Sequence, residues 1–295
     1  MKIRLSENFR AVFYAPFYAT QALGLYAHEG VEVEFIDSAV PGDAVAALLD
    51  GTIDLTWGGP MRVMKAHDQR PDSPLICFCE VVARDPFFLV GRTDQAGFRL
   101  ADLARLRFAT VSEVPTPWTC LQHDLREQGI DPTRLERAAD RPMADNFSAL
   151  REGRLDVAQV FEPFASMALR DGAGRILYAA SGRGPTVYTS FIATRAVIAR
   201  NRAAYQAMLR AVRQVQGWLA THGADELAAI TAPYYPDIEH DLLVSSLRRY
   251  HDAGIWARDP EMSRPGFSRL AESFVSGGLL SRMPSYEDCV DQSLH

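Results

Sequence analysis

Five loops in this chain carry the residue types that meet ligands. "FYAPF" supplies Tyr14 and Pro16, "DSAVPGD" supplies Asp37, and "TWGGP" supplies Trp57, Gly58 and Gly59. "VSEVPTPWTCL" supplies Thr116 and Trp118, and "VFEPFA" supplies Glu162. Adjacent glycines let a backbone approach a ligand closely. Thr116 suits a helix N-cap with Pro117 at N1, which would turn the free amides around Trp118 and Thr119 toward an anion or polar group. These are recognition chemistries. Reactive signatures are missing: the chain has no G-x-x-x-x-G-K-S/T, no G-x-G-x-x-G after a strand, no H-E-x-x-H and no G-x-S-x-G. Cys120 and His123, three apart on an expected helix, could touch a metal, but two ligands do not make a site. Of the 31 Lys and Arg residues only Lys2 and Lys65 are lysines, so Schiff-base chemistry has two candidate amines.

The elements that must position these loops alternate. Strands are expected at Ile3 to Leu5, Val31 to Ile36, Leu55 to Trp57, Leu75 to Val82, Phe87 to Gly91, Arg107 to Thr110, Val157 to Phe161, Ile176 to Ala179 and Tyr188 to Ala193. Helices are expected at Ala15 to His28, Gly42 to Asp50, Met61 to Asp68, Thr116 to Gln128, Ala144 to Glu152 and Arg202 to His222, with Gly30, Gly51, Gly129 and Gly153 where a glycine ends a helix. This is an α/β pattern, with a largely parallel sheet as the expectation. Each of the five loops follows a strand's carboxyl end, where open α/β sheets hold ligands. After Thr194 the pattern turns helical, and Tyr205, Met208, Leu209, Val212, Val215 and Leu219 share one face. The segments Ala83 to Phe88 and Ala180 to Pro185 read as crossings between lobes.

Composition narrows the class. The chain is 47% hydrophobic, enough to bury a large core, and its net charge of −6 with no basic run argues against nucleic acid. No stretch approaches the roughly 18 apolar residues that cross a bilayer, and "MKIRLSENFR" lacks an export leader. A periplasmic location is expected if a leader has been removed, and a cytoplasmic one if the sequence is complete as written. Cys77 and Cys79, two apart in a strand, should share a face and sit in the core. Most of the seven histidines have polar neighbours and read as surface residues.

Four stretches in order resemble the NMT1/THI5-like (SsuA/THI5) family of type II periplasmic binding proteins: "YAPFYATQALGLYAHEGVEVEF", "ALLDGTIDLTWGGP", "FSALREGRLDVAQVFEPFA" and "FIATRAVIARNRAAYQAMLRAV". The resemblance implies two α/β lobes joined by crossing strands, residues 1–84 with 187–295 and residues 85–186, and a helical C-terminal region. It implies a monomeric substrate-binding protein with a small-molecule ligand, no cofactor, and an ABC permease as partner. The thiamin-pyrimidine branch is favoured, with a planar heterocycle stacked by Tyr14, Trp57 or Trp118 and hydrogen-bonded by Asp37, Glu162 or Tyr188. A sulfonate or an aromatic acid is the alternative ligand, and an enzyme of thiamin or pyrimidine biosynthesis the alternative function. The synthases of the family carry a lysine and a histidine where this chain has Gly58 and Arg62, which argues against their self-consuming chemistry here.

Overall fold

A computed structural model of the chain describes residues 2–7, 9–36, 44–92 and 97–295. It contains strands β1 (Lys2–Ser6), β2 (Glu32–Ile36), β3 (Leu55–Gly58), β4 (Leu75–Val82), β5 (Phe88–Gly91), β6 (Phe108–Ala109), β7 (Val157–Val160), β8 (Arg175–Ala179) and β9 (Thr189–Thr194). The helices are α1 (Ala15–Ala22), α2 (Leu25–His28), α3 (Ala44–Asp50), α4 (Met61–Gln69), α5 (Thr116–Glu127), α6 (Met143–Arg151) and α7 (Phe164–Arg170). After β9 follow α8 (Arg195–Arg200), α9 (Arg202–Leu219), α10 (Ala224–Thr231), α11 (His240–Asp252), α12 (Arg264–Ser276) and α13 (Tyr286–Cys289). The helix expected over Ala15 to His28 is two helices, because Gly24 adopts φ +67° and resets the chain.

The strands form two sheets, β2-β1-β3-β9-β4 and β6-β7-β5-β8. The expectation of a largely parallel sheet is corrected. β1 runs parallel to β2 and β3, and β6 runs parallel to β7, but β9 is antiparallel to both β3 and β4, and β5 is antiparallel to β7 and β8. The reversal arises because β9 returns from the second sheet and inserts between strands of the first. Alternation of helices and strands in the sequence does not reveal such a return.

Two crossings therefore connect the sheets, 83–87 and 180–188, and they run side by side. Thr186 N donates to Ala83 O at 2.8 Å, Tyr188 N to Val82 O at 2.7 Å and Ala180 N to Phe87 O at 2.9 Å. One guanidinium ties the crossings together: Arg183 meets Asp85 in the first crossing, and its Nε donates to Asp124 Oδ1 on α5 at 3.0 Å. All three side chains are buried, and Tyr178 Oη also donates to Asp124, at 2.7 Å.

The long amphipathic helix α9 buries Tyr205, Met208, Leu209, Val212, Val215 and Leu219, as their spacing predicts, and packs on α1 and α2. All four cysteines are free and buried. Cys77 and Cys79 do not share a face. A register shift between them in β4 resets the alternation, sending Cys77 into one core cluster and Cys79 into another. Most histidines are expected at the surface; His67 is buried, and its ring nitrogens lie 3.2 and 3.0 Å from the carbonyls of Pro71 and Leu75.

Candidate functional site

The ends of β1 and β3, the loop entering α5, and both crossings converge on one cavity of about 40 Å³. Phe9, Phe13 and Tyr14 come from the loop after β1, a single 3-10 turn that Pro16 leads into α1. Gly59, Met61 and Arg62 come from the turn after β3, Val114 and Thr116 from the start of α5, and Phe87 and Tyr188 from the crossings. At roughly 10–15 Å³ per water this space holds a few water molecules. A ring-sized ligand enters only when the walls part.

The walls are aromatic and touch across the two sheets. Phe161, just after β7, does not line the cavity but backs its wall from the second sheet, meeting Phe13 edge-on at 5.4 Å and Phe87 edge-on at 5.4 Å and lying 6.2 Å from Phe9. Phe87 in turn sits 6.0 Å from Tyr188. Such offset and edge-to-face pairs each add about 0.5–1.5 kcal/mol beyond area burial.

Beside Tyr14 and Thr116, Tyr188 and Arg62 bring polar groups into this aromatic setting. The Tyr188 hydroxyl is buried with no hydrogen-bond partner among the described residues, and burial pushes its pKa well up, so it stays a donor. Its backbone neighbour Val187 has φ +42°, a strained conformation for a β-branched residue, which helps fix where Tyr188 points. Arg62 brings a cation to the wall, and burial lowers its pKa from the usual guanidinium value. Among the described lining residues it is the one with a formal charge.

The cavity brings together four of the residues expected from sequence: Tyr14, Gly59, Thr116 and Tyr188. Pro16 is buried in the first turn of α1 and does not line the cavity. Trp57 is fully buried, stacked on Phe17 with centroids 4.4 Å apart and planes 8° apart, because its strand lies under α1. Gly58 sits behind the wall; a Cβ there would lie 3.2 Å from Arg62 Nη1. Trp118 packs on Phe108 in the second sheet, with the Arg137 guanidinium 5.4 Å above its ring. Glu162 is fully buried and bonded to Arg249 at 2.7 Å, so its carboxylate is engaged away from the cavity. Asp37 lies outside the described residues.

Thr116, expected as an N-cap, is the first helical residue; Pro115 holds the cap position and no side chain caps the helix. Cys120 is in the core and His123 bonds to Ser276 at 3.0 Å, and among the described residues no group of three or more His, Cys, Asp or Glu could hold a metal. Sequence reading missed Phe9, Phe13, Phe87 and Arg62 as a set. Arg62 had a signal, since it falls where the synthases place a histidine. The phenylalanines had none, because apolar residues beside strands read as core.

Two sheets crossed twice by the chain, with a cavity between their loops, are the type II periplasmic-binding-protein fold. The fold is shared across nearly full length with the periplasmic aliphatic sulphonate binding protein SsuA of Escherichia coli, at TM-score 0.79 and 17% identity over 99% of this chain and 98% of that one. It is shared also with the zinc-bound ligand binding component of an ABC-type import system from Staphylococcus aureus, at TM-score 0.75 and 17% identity over 100% and 97% of the two chains. YtlA of Bacillus subtilis (strain 168), named as a binding protein, is 24% identical over 99% of this chain and 88% of its own length. The NMT1-like family model matches residues 9–232, and the chain belongs to that family. Among the described residues no helix is long and apolar enough to cross a membrane.

Proposed function

We propose that this protein is the substrate-binding component of an ABC-type importer and closes over a small planar molecule held between its two sheets. One observation carries the reading: the cavity walls come from the loops of both sheets and from both crossings, so a ligand there touches every part that a hinge would move. In this reading residues 1–84 and 187–295 form one lobe and residues 85–186 the other. The S. aureus component of an ABC-type import system and YtlA, named as a binding protein, agree with it. No nucleophile with an adjacent base stands among the described lining residues, which favours binding over catalysis.

The aromatic walls suit a flat ring, and a thiamin-type pyrimidine is the first ligand to try, with Tyr14 and Tyr188 in contact with it. Arg62 favours a second reading, a sulfonate or aromatic acid whose charge meets the guanidinium near the start of α5. SsuA, which has the same fold, binds aliphatic sulphonates. Thermal-shift measurement with aminopyrimidines, thiamin, alkanesulfonates and aromatic acids separates the two. A ligand at 100 times its Kd adds about 2.7 kcal/mol of stability. Stabilisation by pyrimidines alone supports the first reading and by acids alone the second; no response to the panel removes both.

A further inference from the structure

Glu162 stands one residue after Phe161, which packs edge-on against the cavity-lining Phe13 and Phe87, yet its own interactions run to the C-terminal helices. Its Oε1 accepts from Arg249 Nε at 2.7 Å. Its Oε2 accepts from Ser166 N at 2.8 Å, an otherwise orphan amide of α7, and from Ser246 Oγ at 3.4 Å. The Glu162 amide donates to Tyr250 Oη at 2.9 Å, and that hydroxyl donates to Pro86 O in the first crossing at 3.1 Å. Arg249, Ser246 and Tyr250 all belong to α11.

That helix is fastened to the other side of the cavity. Trp256 Nε1, just beyond α11, donates to Phe13 O at 2.9 Å, Tyr235 Oη just before it donates to Ala11 O at 3.0 Å, and Ala257 N donates to Val81 O of β4 at 2.9 Å. The helix thus holds the loop after β1 by one set of bonds and the loop after β7 by another. Glu162 is completely buried, but the Arg249 side chain is 31% exposed. The pair lies where water can replace it once the two loops part, unlike the enclosed Arg183 triad.

We propose that Arg249, through Glu162 and braced by Tyr250, is a latch that holds the cleft shut and sets ligand affinity from outside the cavity. Arg249 is a positioning residue that touches no ligand. Separating the loops breaks the pair and hydrates the carboxylate, so the strength of the pair fixes the balance of shut and open forms. The outlying Arg170–Glu239 pair at 2.8 Å joins α7 to the start of α11 but is solvent-exposed and weak. This inference rests on the hinge reading given above.

The test is a distance across the cleft in the full chain. Spin labels at Lys65→Cys on α4 and Asp145→Cys on α6, both exposed positions, report on the two sides, and the four native cysteines are buried and unlabelled. Distances are measured in the otherwise native chain and with Arg249→Met, Arg249→Lys or Glu162→Gln. The latch predicts a new, longer distance population in Arg249→Met and Glu162→Gln and a smaller one in Arg249→Lys, which keeps the charge. Superimposable distributions in all folded variants overturn the latch. If the native chain then still shows two populations, hinge motion survives without the latch; one invariant population removes the hinge reading as well.

Discussion

Phe17 and Trp57 stack with centroids 4.4 Å apart and planes 8° apart, and Tyr14, Tyr18 and Phe35 surround the same indole within 6 Å. The tryptophan beside the glycine turn is thereby a packing element of the first sheet, while Gly59, two residues on, reaches the cavity. Trp57→Ala is expected to cost about 3–5 kcal/mol of stability. Urea unfolding measures this; a midpoint within error of the native one would mean that the indole is not holding α1 on the sheet.

Tyr188 tests the cavity itself. Its hydroxyl is buried without a partner among the described residues, so Tyr188→Phe removes an unsatisfied group and should leave stability unchanged or slightly raised. Its effect should fall on binding, reducing the thermal shift given by whichever ligand the screen finds. An undiminished shift would place Tyr188 among bystanders.

The Arg183 triad predicts a different signature. Asp85 is fully buried, and burial raises its pKa against the pull of Arg183. Removing the guanidinium strands Asp85 and Asp124 together, and Arg183→Met should cost about 3–5 kcal/mol. Adding Asp85→Asn to that variant should recover part of the loss, because one of the stranded charges is gone. A double variant no more stable than the single one contradicts this account.

Glu80 on β4 makes stability depend on pH. Burial raises its carboxyl to about 7, helped by Asp259 and opposed by the Ser263 amide that bonds it at 2.8 Å. The folded value lies above the ordinary 4.5. The folded state therefore favours the protonated form, and this contribution is full below pH 4.5 and is lost as pH rises through 7. The difference amounts to roughly 3 kcal/mol at most. Native protein should lose stability relative to Glu80→Gln between pH 5 and pH 8 in paired melts, and parallel curves would show that Glu80 is not the titrating group.

The sequence by itself determined the strands and the long amphipathic helix. All nine strands occur where β-branched and aromatic runs predict them, and the apolar stripe of α9 is buried residue for residue, because periodicity is a local property of the chain. The order of four loose motifs also marked the family. Tertiary structure alone decided which loop residues meet. A strand-end aromatic can turn toward the cleft, as Tyr14 does, or lie under a neighbouring helix, as Trp57 does, and the residue type is the same in both cases. Glu162 shows this most sharply. Its place before a proline at a helix start reads as a ligand group, but Arg249, 87 residues later in sequence, is folded against it, and a buried carboxylate takes the nearest cation because leaving it unpaired costs several kcal/mol.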